Sequence, residues 1–228
     1  MQPYAHIAID GPAGSGKTTV AHALARRLGV LYLDTGAMYR AVALLALRTP
    51  VDPHDEDAVR ALARERPVRV ALDPQSARGF RVFAGTEQFD DELYGNDVSR
   101  VVSIVAAYPG IRDLMVARQR AIAAEGPVIM AGRDIGTVVL PDAPIKIFLT
   151  ATVEERVERR FAELSARGTA LSRPDLRAEI EERDRLDETR AVAPLRPAPD
   201  AVEVDSSGAT IDQVVDRVAE IVRRRSAG

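Results

Sequence analysis

HIAID-GPAGSGKT-TVAHALARRL, residues 6–28, reads in direct succession as an apolar strand, a glycine-rich turn and an amphipathic helix. The pentapeptide 6–10 is short and almost wholly apolar, the pattern of a strand buried on both faces. From Lys17 onward Val20, Leu24 and Leu28 recur every four residues and so share one helix face, and Gly29 supplies a C-cap. Between strand and helix, Gly11, Pro12, Ala13, Gly14, Ser15, Gly16, Lys17 and Thr18 match G-x-x-x-x-G-K-[ST]. Glycines let the backbone wrap so closely that several N–H groups point at one phosphate, and the helix N-terminus adds a positive end. Lys17 can then reach the β- and γ-phosphates of a nucleotide, while the Thr18 hydroxyl can ligate its Mg²⁺ and Thr19 extends the set. A glycine-rich turn without a ligand is the plain alternative, but the motif stands where its chemistry requires.

The chain has 228 residues, a formal net charge of −3 and no cysteine. That length suffices for one domain with an insertion, and for a core that needs neither disulfides nor a structural metal. Thiol nucleophiles, zinc fingers and iron–sulfur ligation are excluded. No global field recruits nucleic acid, so none is expected as a partner. The N-terminus lacks a basic region followed by a long apolar run, and no later stretch approaches the roughly 18 apolar residues of a membrane span. A soluble, cytoplasmic protein without a membrane partner is the expectation. Of 31 basic residues only Lys17 and Lys146 are lysine. A general preference for arginine explains the others, but a lysine kept inside the glycine-rich turn points to a need for a compact ammonium.

Outward from this unit, short apolar runs alternate with longer amphipathic stretches, the rhythm of an α/β protein with a parallel sheet. Strands are predicted at 30–33, 127–131, 145–150 and 201–205, and a helix at 36–47. Thr152 and Glu155 form a capping-box signal for a helix with Val153, Val157 and Phe161 inward. Thr210 and Gln213 cap a final helix whose apolar face carries Ile211, Val214, Val218 and Ile221. Between about 50 and 97 two alternating runs, 68–72 and 80–84, read as a small β-rich insertion. The segment PLRPAPD (194–200) leads into the last strand.

A phosphate loop alone leaves several classes open. A GTPase needs an Asn-Lys-x-Asp guanine reader, but Asn96, the only asparagine, is flanked by Gly95 and Asp97. A larger ATPase motor needs modules for which the chain is too short. A small-molecule kinase needs a second, cation-lined site, and candidates exist. Asp34-Thr-Gly36-Ala-Met-Tyr39-Arg40 follows the second strand, where a ligand crevice forms outside the carboxyl ends of parallel strands. Tyr39 and Arg40 could flank an acceptor phosphate, although an incidental turn arginine reads equally well. Gly132-Arg133-Asp134-Ile-Gly136-Thr137 follows another strand, and its flanking glycines point to close approach of a ligand. Arg112, alone, reads as a solvated helix residue, as does the run Arg183-Asp184-Arg185-Leu186-Asp187-Glu188-Thr189-Arg190. With Arg159, Arg160 and Arg167 upstream, that run can also be a helical lid whose guanidiniums close on a γ-phosphate and exclude water.

Taken together, IAIDGPAGSGKTT (7–19), LDTGAMYRA (33–41), VAAYPGIRDLM (105–115), GRDIGTVVLPDAPIKIFL (132–149) and ERDRLDETRAVAPL (182–195) resemble the bacterial cytidylate kinase family along nearly the whole chain. The resemblance implies an α/β, P-loop three-layer fold with a mostly parallel five-stranded central sheet and a short arginine-rich lid at about 157–188. The core would comprise 1–61 and 106–228, with 62–105 inserted as part of a domain that binds the nucleoside monophosphate. It implies MgATP and CMP or dCMP as substrates, Mg²⁺ as the metal, and a monomer. Ser103, Arg112 and Asp134 would read cytosine, and the chemistry agrees: Arg112 donates to O2 and N3 while Asp134 accepts from N4. Arg40, Arg133 and Arg190 would hold the acceptor phosphate, Arg183 would stand near the transferring group, and Asp187 would accept from the ribose hydroxyls. Thr35, where this family often has serine, and Tyr39 would line the monophosphate pocket; Lys17, Arg133, Arg183 and Arg190 would be catalytic, and Arg159 would meet ATP. Kinases for UMP, dTMP or shikimate, and a non-catalytic ATP-binding regulator, are the competing readings.

Lys17→Met should abolish turnover while the circular dichroism spectrum and unfolding midpoint stay at wild-type values. Near-normal activity in that variant would remove the loop assignment.

Overall fold

A computed structural model describes residues 6–73, 75–166, 168 and 172–226. Five strands, β1 (Ile7–Asp10), β2 (Leu31–Asp34), β6 (Val128–Gly132), β7 (Ile145–Thr150) and β8 (Val202–Asp205), form one sheet in the order β2-β6-β1-β7-β8. Every pairing is parallel, with Asp10 opposite both Gly132 and Phe148, and Asp34 opposite Ala131. Parallel alignment puts all five carboxyl ends on one edge, so the loops after β1, β2 and β6 converge there although they lie far apart in sequence. Strand β1 is buried throughout, as a central strand of a sheet covered on both faces must be.

The first helix, α1 (Lys17–Leu28), begins and ends where the sequence places it, with Gly29 in the left-handed conformation as its C-cap. Helix α2 (Thr35–Leu47) starts directly at the end of β2, and the Asp34 carboxylate caps it by accepting from the Gly36 N–H at 3.0 Å. The insertion holds a separate antiparallel sheet, β3 (Val68–Leu72), β4 (Phe80–Ala84) and β5 (Glu87–Phe89), between α3 (Glu56–Glu65) and α4 (Asn96–Ala107). Its third strand was not legible, because three residues are too few to show alternation. The side chains of Val68, Phe80, Val82 and Phe89 join the same continuous core as the main sheet. Helix α5 (Pro109–Ala124) leads back into β6.

Helices α6 (Val153–Ala166) and α7 (Arg173–Thr189) pack on each other through a small core of their own, Val157, Leu164, Leu176 and Ile180, with Val153 and Phe161 at its margin. The capping box of α6 forms only in part. Glu155 N–H donates to Thr152 Oγ1 at 3.3 Å, but the Thr152 N–H goes to Ser207 Oγ at 2.9 Å. The box of α8 (Ile211–Ser226) is reciprocal between Thr210 and Gln213. One residue of its expected inward face departs from prediction: Ile211 is 53% exposed, because the first turn of α8 overhangs the rim of the cavity described below. Among the described residues no helix is long and apolar enough to cross a membrane.

Candidate active site

The carboxyl edge of the main sheet, α4, α5 and the α6–α7 hairpin enclose a cavity of about 760 Å³. Of the residues singled out in sequence, Ala13–Thr19, Thr35, Tyr39, Arg40, Ser103, Arg112, Arg133, Asp134, Arg159, Arg183, Asp187 and Arg190 all line it. Gly11 and Pro12 do not. A Cβ on Gly11 would lie 2.1 Å from the Leu149 carbonyl oxygen, so this glycine admits β7, and the Pro12 carbonyl accepts from Lys17 Nζ at 2.9 Å. Gly16 carries the left-handed turn (φ 88°) that starts α1. Arg167 lies outside the described residues.

The phosphate loop is held from behind. Arg156 donates to the Ala13 carbonyl at 3.1 Å and to Asp184 of α7 at 2.6 Å. Arg159 donates to the Ser15 carbonyl (3.2 Å) and to Ser206 Oγ and O (2.9 and 2.7 Å), tying the loop to the end of β8. Arg159 therefore touches the loop's backbone as well as the cavity. The glycines beside Arg133 and Asp134 lie close against protein neighbours: a Cβ on Gly132, which also lines the cavity, would lie 2.6 Å from Ile135 Cδ1 and 2.7 Å from Thr35 Oγ1, and one on Gly136 3.1 Å from Lys146 Cδ. Thr35 Oγ1 donates to the Ala131 carbonyl at 2.9 Å, fixing the start of α2 against β6.

Cations meet in the middle. Burial lowers the Lys17 pKa well below its ordinary value, and the positive charges of Arg133 and Arg183 lower it further against the pull of Asp34 and Asp187. Arg183 is brought down to about 9 by burial and by Arg40, Arg133 and Arg160. Arg40 is lowered by burial, with Arg160 and Arg133 adding to the effect. Among the described residues the Arg183 Nε has no hydrogen-bond partner. Asp187 is the main local counter-charge: burial works to raise its pKa, but Arg133, at 2.7 Å, and Arg183 outweigh it and the net shift is downward.

A second polar cluster lies beside the first. Arg112 and Asp134 form a buried ion pair, and Arg190 stands 3.5 Å from the other Asp134 oxygen. Arg112 also donates to the Ala106 carbonyl at 3.3 Å, and its guanidinium lies 5.8 Å from the centre of the Tyr39 ring. Tyr39 thus sits under Arg112, and burial pushes its phenol up to about 12. Ser103, one turn along α4 from Ser99, is buried at the same wall.

Sequence reasoning missed Asp10, Arg78, Tyr94, Arg156 and Ser206. For Asp10 a signal existed, a lone charge at the end of a buried strand. Its two carboxylate oxygens accept from the Ile135 and Gly136 N–H groups at 2.8 Å each, which fixes the turn that follows Asp134. Burial pushes the Asp10 carboxyl up to about 6, although those two N–H bonds pull the other way.

A glycine-rich anion loop on a parallel sheet, facing a second set of guanidiniums and carboxylates across one cavity, defines a P-loop phosphotransferase with two substrate sites. The family model described as cytidylate kinase matches residues 7–224. The chain is 50% identical over 219 residues to a cytidylate kinase of Geobacillus thermodenitrificans (strain NG80-2), covering 96% of each. It is 50% identical over 228 residues to that of Pelotomaculum thermopropionicum (100% of this chain, 99% of the relative), and 49% identical to that of Mycobacterium avium (strain 104), covering 96% of each. The chain belongs to the cytidylate kinase family.

The Asp10 carboxyl titrates at about 6 in the fold against an ordinary 3.8, so the folded state holds the extra proton between those values. Stability from this group is complete below the lower value and is lost as pH rises through the upper one, by on the order of 3 kcal/mol. The difference in urea-unfolding free energy between wild type and Asp10→Asn should therefore fall from about pH 4 to about pH 6. A difference independent of pH would contradict this.

Proposed function

We propose that the cavity holds MgATP on the phosphate loop and CMP, or dCMP, between α2, α4 and α5, and that the γ-phosphoryl group passes in line from one to the other. The bond from the γ-phosphorus to the β–γ bridging oxygen breaks as a CMP phosphate oxygen bonds to that phosphorus, leaving ADP and CDP or dCDP. The observation that carries this reading is the convergence of Lys17, Arg40, Arg133 and Arg183 in a desolvated space, where burial, and after it the charge of Arg133 among others, lowers the pKa values of Lys17, Arg40 and Arg183. Such a site favours multiple negative charge, and most of all the charge spread over three equatorial oxygens during transfer. No covalent enzyme intermediate is required, since positioning and electrostatics suffice.

Lys17 releases the Pro12 carbonyl to meet the β- and γ-oxygens. Arg40, Arg133 and Arg190 hold the acceptor phosphate, and Arg183 on α7 faces the transferring group. Arg159, on α6, meets ATP beside the loop. The α6–α7 hairpin acts as the lid that keeps water from the γ-phosphoryl group. Residues 62–105 form the inserted part of the monophosphate-binding domain, although residues 62 and 105 themselves lie within α3 and α4. Among the described residues no cluster of three His, Asp or Glu side chains could cage a metal. Mg²⁺ fits this site as an ion carried by the ATP phosphates with the Thr18 hydroxyl as a protein ligand; bound there, it neutralises phosphate charge.

The base site reads cytosine through the Arg112–Asp134 pair: the guanidinium donates to O2 and N3, Asp134 accepts from N4, and Ser103 completes the wall. Uracil would set O4 against the carboxylate and an N3–H against the guanidinium, which a buried site rejects strongly. Asp187 reaches the ribose hydroxyls when Arg133 turns to phosphate. We further infer a monomeric cytoplasmic enzyme of pyrimidine nucleotide supply, working without nucleic acid or membrane.

ADP release with MgATP and a panel of CMP, dCMP, UMP, dTMP and shikimate tests the reading. Turnover should be confined to the cytidine nucleotides, and Asp134→Asn should lower the CMP/UMP ratio of kcat/KM at least about tenfold. ATP binding without any acceptor-dependent turnover would overturn the enzyme assignment, and an unchanged ratio in the variant would remove Asp134 from base reading.

A further inference from the structure

The insertion carries into the cavity an arginine that the proposed function leaves unused. Arg78 lies in the loop between β3 and β4 and lines the cavity. Its guanidinium carbon stands 4.2 Å from the centre of the Tyr94 ring, and it pairs with the Asp91 carboxylate. Arg40 lies over that same ring at 5.3 Å. One aromatic side chain thus carries two guanidiniums, one from core helix α2 and one from the inserted sheet, and both stacking contacts are of the kind that orients arginine.

The two arginines are tied differently. Arg40 donates to the Leu93 carbonyl and to Ser99 Oγ, both at 3.0 Å. Arg78 pairs with a carboxylate whose side chain is 91% exposed, a weak and exchangeable partner. The residues that follow Arg78 are nevertheless held against the core. A Cβ on Gly79 would lie 3.4 Å from Tyr32 Cδ1 and 3.5 Å from His22 Cδ2, and the Tyr32 and Phe80 rings meet at 5.8 Å. The insertion therefore docks on the core next to Arg78 and delivers a guanidinium that is free to change partners.

We propose that Arg78 is a further binding residue for the acceptor phosphate. It exchanges Asp91 for the 5′-phosphate of CMP and, together with Arg40, grips that group from the side of the inserted sheet. A phosphate dianion presents three oxygens, so two guanidiniums from different elements can each take their own edge. The pair then separates a phosphorylated acceptor from the bare nucleoside. This rests on the acceptor site lying at Arg40, as proposed above.

Steady-state kinetics of Arg78→Ala, Arg78→Lys, Asp91→Ala and Arg40→Ala, with cytidine as a phosphate-free competitor, test the assignment. Arg78→Ala should raise KM for CMP about tenfold while KM for ATP and the inhibition constant of cytidine stay within about twofold. Arg78→Lys should restore only part of the loss, and Asp91→Ala, which releases Arg78, should lower KM for CMP. A normal KM in Arg78→Ala beside a raised one in Arg40→Ala overturns the role of Arg78 and leaves the acceptor site standing. A normal KM in both overturns the acceptor site itself. Equal weakening of CMP and cytidine in Arg78→Ala would mark a displaced loop and would also overturn the proposal.

Discussion

The constraint on which the rest of this structure depends is the confinement of like charges. Two unit charges about 6 Å apart repel by roughly 3 kcal/mol at an effective dielectric constant of 20, so gathering several cations needs an external hold. Here the hold is mechanical. The parallel sheet brings the carboxyl ends of β1, β2 and β6 to one edge, which gathers the segments that carry Lys17, Arg40 and Arg133. Helix α7 adds Arg183, anchored by the Arg156–Asp184 bridge to the phosphate loop. Asp187 and Asp34 offset part of the repulsion, and what remains favours a phosphoryl group.

The same logic explains the carboxylates that carry no substrate role. Asp10 ends the central strand at a buried position where a charge is costly, and it uses both oxygens on the backbone of the turn after Asp134. A carboxylate so placed fixes the spacing between the phosphate loop and the Arg112–Asp134 pair. Thr35 does the same between α2 and β6. These contacts brace the carboxyl edge of the sheet, while the α6–α7 hairpin packs on a small core of its own and is tied to the phosphate loop through Arg156 and Arg159.

Much of this was legible in the sequence. The apolar runs of the five central strands and the spacing of Val20, Leu24 and Leu28 fixed the α/β class, because burial on both faces leaves a distinct pattern. The phosphate loop was legible because its backbone chemistry allows few alternatives at Gly16 and Lys17. The α7 run was not, since Arg183-Asp184-Arg185 reads as a solvated helix. In the fold its faces divide: Arg183 and Asp187 face the cavity and Asp184 meets Arg156, while Arg185 pairs outside with Glu182 at 2.6 Å. Charge patterning alone cannot show which face a tertiary partner covers. Arg78 and Tyr94 escaped for a related reason, as only the docking of the inserted sheet on Tyr32 and His22 brings them to the site. The glycines flanking Arg133 and Asp134 were read as points where a ligand comes close; the side chains that come close there are Ile135, Thr35 and Lys146.

The central claim is that the confined cations are complementary to phosphoryl charge in flight more than to either substrate at rest. The direct measurement is the unfolding temperature of the protein with MgADP, with CMP, and with both plus aluminium fluoride as a mimic of the transferring group. The account predicts that the full mixture raises the midpoint by clearly more than the two separate increments together. A midpoint no higher than that sum would contradict it.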